Sequence, residues 1–435
     1  MTLRVWVNDK PVGRLARYKR GGSTFVYDEG VSNKDMISLT HPVRTSSWNS
    51  EGALAPIFDM NLPEGALREA LRMRFAKALG TFDDFGLLGL VGKSQIGRLR
   101  YTELDQNLDD AVPFQSVQDI LRARREGDLF EYLIERFATY SGVAGVQPKI
   151  MFRGDDDARK SQSFRSATHI VKFWEPAEYP ELAANEYFCL RAAKELGLSV
   201  PDFALSDDGA ALVVQRFDVV DGASLGFEDF AVLNAKPSAH KYDGGAETAI
   251  FKRIRDFVSP ENRDQAMADA FKMFVLNCAV RNGDAHLKNW GVTYKDAESP
   301  VSLAPVYDIV TTTAYVPVDA MALSVGGSKR WLDPKKLLLL GQTRAYLSKP
   351  WIEATFEQTA DVLSDQARLA TQYFRDCPYP KVGVAMMAAW QQGVGESLGL
   401  QRDYVAGAAL AENKCGHTPP PPPPASPDLP GPKGE

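Results

Sequence analysis

A set of polar residues between positions 284 and 308 has the side-chain types and the spacing that phosphoryl transfer requires. Asp284 is followed five residues later by Asn289, and a second carboxylate, Asp308, follows nineteen residues after that. Phosphoryl transfer needs a carboxylate beside the acceptor hydroxyl and oxygen ligands for the magnesium ion that bridges the phosphates. In this interpretation Asp284 orients or deprotonates the hydroxyl, whereas Asn289 and Asp308 bind the metal.

The elements around this set are predicted to deliver it to one place. From 264 to 280, apolar residues recur at intervals of three and four, which predicts a helix with one buried face. Residues 291–294 and 302–305 favour β-strands and predict a hairpin, with Asp308 just beyond it. The tripeptide 282–284 is by itself more typical of an ordinary turn, because Asn, Gly and Asp favour turns for backbone reasons. The continuation of the set at useful spacings favours the chemical interpretation.

A glycine-rich segment, residues 141–150, ends in an apolar stretch that favours a β-strand. Its small residues would let backbone amides approach an anion closely, and Lys149 adds a positive charge. The segment lacks the Gly-Lys-Ser/Thr ending of a nucleotide-binding P-loop. A structural turn and a phosphate-binding loop are therefore both compatible with it.

Lys172 lies among apolar neighbours in a predicted strand, residues 168–173. Lysine is rarely buried without a partner. Protein kinases place a strand lysine at the nucleotide phosphates and hold it with a helix glutamate. The candidate glutamate is Glu186, at the start of a predicted helix that ends at Gly197. The alternative for Lys172 is an edge-strand lysine that faces water. Residues 212–218 predict another strand and then a polar boundary, where a kinase would bind adenine.

Residues 1 to about 120 are predicted to form a small α+β unit without a chemical constellation of its own. Alternation over residues 3–16 predicts a β-hairpin. A helix is predicted to begin at Pro63-Glu64, with its arginine-bearing face in solvent. The glycine-punctuated stretch 86–100 is predicted to be loop and short strand.

The composition indicates an ordinary globular protein. The 435 residues suffice for two or three domains, and a formal net charge of −6 gives no general electrostatic case for nucleic-acid binding. The 4 cysteines form no CxxC pair and suggest neither a zinc site nor a disulfide framework. The N-terminus lacks the apolar core of a signal peptide, and no apolar run approaches the ~18 residues of a membrane span. We therefore expect a soluble cytoplasmic protein without membrane contact.

Taken in order, these motifs resemble those of the HipA-family serine/threonine kinases, the toxins of bacterial type II toxin–antitoxin pairs. The resemblance rests on the Gly-Val-Gln-Pro-Lys loop, the Ile-Val-Lys-Phe strand, the Asn-Glu helix start, the Gln-Arg-Phe-Asp hinge, the Asp-Ala-His-Leu-Lys-Asn loop and the Tyr-Asp-Ile stretch. It implies an α+β, two-lobed protein-kinase-like fold with an N-terminal α/β subdomain and a mostly helical C-terminal lobe. The expected regions are a HipA-type subdomain at 1–120, a small-lobe-like region at 121–250, a helical catalytic lobe at 251–415 and a proline-rich tail at 416–435.

The resemblance also implies reactants and partners. ATP and Mg²⁺ would serve the phosphorylation of serine or threonine in a translation component, commonly an aminoacyl-tRNA synthetase, and this modification would slow the cell. A HipB-like helix-turn-helix antitoxin would be the partner, and contact with operator DNA would be made mainly through it.

Site roles carry over to the residues that match the family motifs. Asp284 is the implied catalytic base, Asn289 and Asp308 are the metal ligands, and Lys172 is the lysine that contacts ATP. Further nucleotide contacts are implied for the phosphate-loop residues Val143, Ala144 and Gly145, for Lys149 close by, for Gln215 and Phe217 around the adenine, and for His286.

Two positions depart from familiar patterns. His286 stands two residues after Asp284, where conventional protein kinases usually keep a lysine, and an isolated histidine there is more typical of a packed loop residue than of a proton carrier. Family members regulated by autophosphorylation carry the acceptor serine at the position of Gly142, so the adjacent Ser141 is predicted to be the autophosphorylation site here. A phosphate on Ser141 would compete with ATP or eject the loop.

Two other functions are weighed against this one. A small-molecule phosphotransferase of the aminoglycoside or choline type would need the same base and metal ligands, but the N-terminal unit and the phosphate-loop sequence favour a protein kinase. A catalytically silent scaffold that only binds an antitoxin would not need Lys172, Asp284, Asn289 and Asp308 together.

The C-terminal part is predicted to complete the large lobe. Residues 330–412 are predicted to be mostly helical, including 382–392 and 396–412. The tail 418–435 contains six consecutive prolines and is predicted to be disordered or extended polyproline II.

Overall fold

The computed structural model describes residues 2–79, 82–108, 111–123, 129–155, 165–174 and 177–404. The first part of the chain folds into an antiparallel sheet of five strands, which are β1 (Thr2–Val7), β2 (Lys10–Arg17), β3 (Ser23–Tyr27), β4 (Trp48–Ser50) and β5 (Leu99–Glu103). Their spatial order is β4-β3-β2-β1-β5. The hairpin predicted over residues 3–16 is confirmed as β1 and β2.

A second sheet of five strands follows, consisting of β6 (Phe114–Gln115), β7 (Lys149–Gly154), β8 (His169–Phe173), β9 (Phe203–Leu205) and β10 (Ala211–Gln215). Its order is β6-β7-β8-β10-β9, so that β8 is an interior strand. Smaller sheets are formed by β11 (Val219–Val220) with β12 (Ala223–Ser224), and by β13 (Gly226–Asp229), β14 (Gly291–Tyr294) and β15 (Ser302–Leu303). The hairpin predicted before Asp308 is confirmed as β14 and β15.

The described residues before β7 contain five α-helices, namely α1 (Pro56–Asp59), α2 (Gly65–Leu79), α3 (Asp84–Val91), α4 (Val117–Arg122) and α5 (Leu129–Phe137). The remaining helices are α6 (Leu182–Glu195), α7 (Phe230–Leu233), α8 (Lys252–Phe257), α9 (Pro260–Ala279), α10 (Pro334–Arg344), α11 (Lys349–Asp376) and α12 (Pro380–Gly393). Helices α6, α9, α11 and α12 pack around the core of a helical lobe.

The second sheet lies between two apolar cores because its side chains alternate. On β10, Leu212 and Val214 belong to the core of the helical lobe, whereas Val213 belongs to the core that contains the N-terminal strands. Val171 on β8 pairs with Val213 and shares its core. Lys172 pairs with Leu212 and therefore lies on the opposite face, towards the helical lobe. The N-terminal unit thus covers one face of the sheet that carries Lys172.

Two predictions of secondary structure are wrong. The stretch 86–91, predicted to be loop, is part of α3, which begins at an Asp83 cap that accepts from the Gly86 N–H over 2.9 Å. Leu87, Leu88 and Val91 are buried, and this burial outweighs the low helix propensity of the glycines in α3. Beyond α12 the helix predicted over 396–412 stops early: a π-helical turn ends at Leu398, and Gly399 has a φ of 74°, which ends a helix. Residues 405–435, with the predicted proline-rich tail, lie outside the described residues.

No helix in the described part of the chain is both long enough and apolar enough to cross a bilayer.

Candidate active site

A cleft with a volume of about 490 Å³ is bordered by the second sheet, the N-terminal unit and the helical lobe. Met60 of the N-terminal unit and residues of several loops line the walls of this cleft. The predicted catalytic base Asp284 and the residues predicted to contact nucleotide or metal all line this cleft: Val143, Ala144, Gly145, Lys149, Lys172, Gln215, Phe217, His286, Asn289 and Asp308. The structure therefore brings together side chains that are as much as 165 positions apart in sequence, from Val143 to Asp308.

The loop after α9 is held by buried polar contacts. The Asn282 side chain donates to Oδ1 of Asn277 over 2.9 Å and accepts from the Asp284 N–H over 3.0 Å. Lys288 reaches the N-terminal unit, where its ammonium group donates to the carbonyl oxygen of Met60 over 2.7 Å. These contacts fix the backbone that carries Asp284.

The Asp284 carboxylate lines the cleft and keeps 45% of its side-chain surface exposed. The Tyr242 hydroxyl donates to its Oδ1 over 2.6 Å. Partial burial raises the pKa of Asp284 to about 6, although the hydrogen bond from Tyr242 opposes the rise. A carboxylate with this pKa is mostly ionised at neutral pH and can accept a proton from a hydroxyl.

Lys172 is buried beside two carboxylates. Its ammonium group forms an ion pair with Glu186 on α6, lies 3.9 Å from Oδ1 of Asp308 and donates to the carbonyl oxygen of Tyr307 over 3.1 Å. Burial disfavours the charge, but Asp308 and Glu186 outweigh this effect and raise the pKa of Lys172. The contact with Glu186 expected from the sequence is present, and an edge-strand lysine facing water is excluded because β8 is an interior strand.

Lys149 stands beside Lys172, because the two residues are cross-strand partners on β7 and β8. Gly145 lies against the Lys149 ammonium group with a φ of 118°, and a Cβ at this position would overlap Nζ. Burial lowers the pKa of Lys149, and the charge of Lys172 adds to this lowering. Two ammonium groups next to a glycine-bearing loop suit the binding of a polyphosphate.

Asn289 and Asp308 offer oxygen atoms to the same cleft. The Asn289 side-chain amide donates to the carbonyl oxygen of Asp284 over 2.7 Å, which leaves its own oxygen for another partner. Burial opposes ionisation of Asp308, but Lys172 and Lys149 outweigh it and hold the pKa of Asp308 below its ordinary value. Within the described ranges, no three His, Cys, Asp or Glu side chains form a metal cluster. One carboxylate and one amide oxygen fit Mg²⁺, which usually keeps water and phosphate as its other ligands.

Gln215 is the last residue of β10, and Phe217 follows it where the chain passes from the second sheet to the helical lobe. The ring of Phe217 stacks on Tyr307, with centroids 5.4 Å apart and 26° between the planes. Arg216, which lies between Gln215 and Phe217 in the sequence, forms a buried two-point ion pair with Asp218. The cleft thus has an aromatic wall at the position where adenine binding was predicted.

His286 is a packed residue. Burial lowers its pKa to about 3, and the charge of Lys241 lowers it further. Its Nε2 lies 3.9 Å from Oδ1 of Asp284, and its Nδ1 has no hydrogen-bond partner among the described residues. The imidazole is therefore neutral at physiological pH, as expected for a packed loop residue.

Ser141 lies away from the cleft, in the apolar interior. Its hydroxyl donates to the carbonyl oxygen of Phe137 and accepts from the Met151 N–H, each over 2.9 Å. The next residue, Gly142, forms a β-bridge with Gln95, and a Cβ on Gly142 would overlap the Gln95 side chain. Phosphorylation of Ser141 requires this segment to leave its place, and the role of Ser141 stays a prediction.

Three residues near Asp284 were missed in the sequence. Tyr242 contacts its carboxylate, and the neighbouring Lys241 forms an ion pair of 3.1 Å with Glu64 from the N-terminal unit. Lys241 and Glu64 are 177 positions apart, and Tyr242 and Asp284 are 42 apart. A local pattern carries no signal for contacts at such separations.

Two family models match the chain, and both describe domains of the family that the sequence motifs indicated. The family model of the HipA-like C-terminal domain matches residues 141–374, and that of the HipA N-terminal domain matches residues 3–102. Y4mE of Sinorhizobium fredii, which carries a kinase name, is 30% identical over 351 residues that cover 74% of this chain and 80% of that protein. The serine/threonine-protein kinase toxin HipA of Shewanella oneidensis is 30% identical over 198 residues, which cover 40% of this chain and 43% of the relative.

Comparison with solved structures gives the fold. The HipA chain in the Shewanella oneidensis complex of HipA, HipB and operator DNA superimposes with a TM-score of 0.62 at 19% identity, over 92% of this chain and 98% of that chain. This likeness supports the two-lobed, kinase-like α+β architecture expected from the sequence. The family models together span most of the chain, from the N-terminal sheet to α11. The chain therefore belongs to the HipA family and is a HipA-like kinase.

Proposed function

We propose that this chain is an ATP-dependent serine/threonine protein kinase and the toxin of a type II toxin–antitoxin system. The observation that supports it most is the meeting of four groups in one cleft. They are the buried Lys172, which is paired with Glu186, the partly exposed carboxylate of Asp284, and the oxygen-bearing side chains of Asn289 and Asp308. A scaffold that only binds a partner has no use for this combination.

In this proposal the phosphates of ATP contact Lys172, Lys149 and the backbone of residues 143–145. The adenine lies against the hinge at Gln215 and Phe217. Mg²⁺, when bound by Asn289 and Asp308, supplies positive charge to the phosphates. Asp284 orients the serine or threonine hydroxyl of the substrate and accepts its proton as the γ-phosphoryl group is transferred.

The proposed protein substrate is a translation component such as an aminoacyl-tRNA synthetase, and the proposed place of action is the cytoplasm. The proposed inhibitor is a HipB-like helix-turn-helix antitoxin, which also makes most of the contact with operator DNA. Support comes from the structural neighbour, which was solved together with HipB and its operator DNA. The net charge of −6 also favours DNA contact through a partner.

The test is phosphoryl transfer by the purified full-length chain. The protein is incubated with Mg²⁺ and ATP, alone and with a cell lysate, beside the Asp284→Asn variant. Phosphate incorporation is followed by mass spectrometry of intact protein and of lysate peptides. We expect serine or threonine phosphopeptides that depend on the wild-type carboxylate.

The other outcomes separate the alternatives. Phosphate transfer to small molecules of the lysate, with no protein labelled, would favour a small-molecule phosphotransferase. No transfer of any kind, although an added antitoxin binds, would favour a silent scaffold and would overturn the proposal.

A further inference from the structure

Tyr242 occupies the place that an acceptor hydroxyl must reach. Its hydroxyl donates to Oδ1 of Asp284 over 2.6 Å, which is the contact that a substrate hydroxyl makes with a catalytic carboxylate before transfer. The Tyr242 ring lines the cleft and packs edge-on against His286, with centroids 5.0 Å apart. About 41% of the residue is exposed, so the ring is not enclosed in a core.

The segment around Tyr242 is anchored on both sides of the cleft. The carbonyl oxygen of Lys241 accepts from the Leu287 N–H over 3.0 Å, which ties the segment to the loop that carries Asp284. The Lys241 side chain pairs with Glu64 of the N-terminal unit over 3.1 Å. The carbonyl oxygen of Tyr242 itself accepts from the Lys329 ammonium group over 3.1 Å. The tyrosine is therefore presented to Asp284 by a fixed piece of chain.

The hydroxyl groups of Tyr242 and Ser141 lie in different environments. The Ser141 hydroxyl has a backbone donor and a backbone acceptor in the interior, and the residue has no exposed surface. The Tyr242 hydroxyl faces the ionisable carboxylate of Asp284, and the Lys241 ammonium group lies 5.6 Å from the centroid of the Tyr242 ring. In the conformation described here, Tyr242 is thus much better placed than Ser141 to receive a phosphoryl group.

We propose that Tyr242 is a site of self-phosphorylation within this cleft, an inference that rests on the proposed kinase function. The phenol oxygen of Tyr242 forms a bond to the γ-phosphorus of ATP. The bond between that phosphorus and the β,γ-bridging oxygen breaks, and the bridging oxygen keeps the electron pair, so that ADP leaves. The phenol proton passes to the Asp284 carboxylate and from there to water.

The modification changes the contact on which it depends. A phosphate ester carries nearly two negative charges at neutral pH and repels a carboxylate. The phosphorylated Tyr242 therefore cannot keep the hydrogen bond to Asp284. The negative charge of its phosphate attracts the Lys241 ammonium group instead. Before modification a hydroxyl contacts Asp284, and after modification a phosphate ester stands in its place. Self-phosphorylation therefore changes the acceptor position and can regulate the enzyme.

The experiment maps phosphate on the full-length chain. The purified protein is first treated with a phosphatase, which is then removed, and is next incubated with Mg²⁺ and ATP over a tenfold range of protein concentration. Intact mass gives the stoichiometry, and peptide mapping gives the position. We expect one phosphate on the peptide that contains Tyr242, with a rate per molecule that does not depend on protein concentration.

Matched variants remove single hydroxyls. Tyr242→Phe is expected to lose this phosphate. Tyr346→Phe, which alters an exposed tyrosine hydrogen-bonded to Arg255 outside the cleft lining, is expected to keep it. Thermal melting of each variant checks that it is folded.

The possible outcomes distinguish a failure of the Tyr242 inference from a failure of the proposed kinase function. Phosphorylation of lysate proteins with Tyr242 unmodified, or phosphate found on Ser141 in its place, would overturn the inference and leave the kinase function intact. Absence of any transfer by a chain that binds ATP would overturn both.

Discussion

At the scale of single residues, the Lys172–Glu186 pair places two opposite charges in the interior beside the cleft. Both side chains are buried, and the second carboxylate oxygen of Glu186 has no hydrogen-bond partner among the described residues. A buried charge that loses its partner is far more costly than an exposed one. In the proposed function, stability and catalysis depend on the same ion pair, so the two effects must be separated by experiment.

Lys172→Met is expected to lower phosphoryl transfer about 100-fold or more and to lower the free energy of unfolding by about 3–5 kcal/mol. The double variant with Glu186→Gln is expected to regain much of the stability, because no buried charge is left alone, but none of the activity. Chemical denaturation and a transfer assay report the two effects. Lys194→Met, which removes an exposed lysine on the same helix as Glu186, is the control. Recovery of activity in the double variant would contradict the role given to Lys172.

The metal requirement is the second prediction at this scale. Asp308→Asn removes the one carboxylate that we assign to Mg²⁺, so the concentration of Mg²⁺ needed for half-maximal transfer is expected to rise about tenfold or more. A magnesium titration of the transfer rate measures this shift. Asp365→Asn, at an exposed position of α11, is expected to leave the titration unchanged. Equal magnesium curves for Asp308→Asn and wild type would remove Asp308 from the metal site.

At the scale of elements, the glycine-rich segment 141–150, the predicted phosphate loop, is joined to the N-terminal unit by the bridge between Gly142 and Gln95. A Cβ at Gly142 would overlap both the Gln95 side chain and the carbonyl oxygen of Ser94, and a backbone atom cannot move aside as a side chain can. The serine that the family resemblance implies at this position therefore does not fit this backbone.

Gly142→Ser is accordingly expected to lower the free energy of unfolding by about 1–3 kcal/mol through overpacking. Adding Gln95→Ala should relieve only part of this loss, because the overlap with Ser94 remains. Urea denaturation of the two variants tests the point. A fully stable Gly142→Ser variant would show that the segment adopts a second backbone arrangement.

The connection between β3 and β4 contains a histidine that responds to pH. Burial lowers the pKa of His41 to about 4, and the charge of Arg44 lowers it further. Since the ordinary value is 6.5, the unfolded chain binds a proton first as the pH falls. His41 therefore stabilises the fold fully above about pH 6.5 and loses this contribution towards pH 4.

The expected result is a melting temperature that falls less steeply between pH 7 and about pH 5 in His41→Asn than in wild type. Scanning calorimetry or fluorescence melting at several pH values measures the difference, and carboxylate effects common to both proteins cancel. Parallel curves would show that His41 is equally protonated in the folded and the unfolded chain.

The sequence predicts the elements that follow from a local pattern, but it does not predict those that depend on contacts between distant segments. The Lys172 strand, the Glu186 helix and the 291–303 hairpin follow from local periodicity, and the structure confirms these elements. The first turns of α3 do not, because glycines obscure a run whose helical form depends on burial against other parts of the chain. The contacts of Tyr242 with Asp284, and of Lys241 with Glu64, arise only when distant segments meet.

At the scale of the whole molecule, the hinge is tied to the N-terminal unit by a buried charge pair. Arg216 donates twice to Asp218 and also to the carbonyl oxygen of Gln95 over 2.9 Å. Asp218 in turn accepts from the Gly97 N–H over 2.6 Å. One ion pair thus connects the hinge, the loop before β5 and, through Gln95, the bridge to Gly142.

Asp218→Asn leaves the Arg216 charge without its buried partner and is expected to lower the free energy of unfolding by about 3–5 kcal/mol. Nucleotide affinity is expected to fall as well, because the hinge and the phosphate-loop segment lose a shared support. Denaturation and ATP titration measure the two changes. Asp365→Asn breaks a solvent-exposed pair instead and should change neither. Unchanged nucleotide affinity in a destabilised Asp218→Asn chain would show that the support is structural only.

The alternation of β10 between two cores has a practical consequence for dissecting the molecule. A recombinant fragment that begins near residue 141, where the C-terminal family match starts, would carry Phe152, Val171 and Val213 without the strands and helices that cover them. Such a contiguous apolar surface promotes self-association. We expect the fragment to collect in inclusion bodies and to become soluble when residues 1–140 are co-expressed as a separate chain, which a pelleting assay of the two expressions would show.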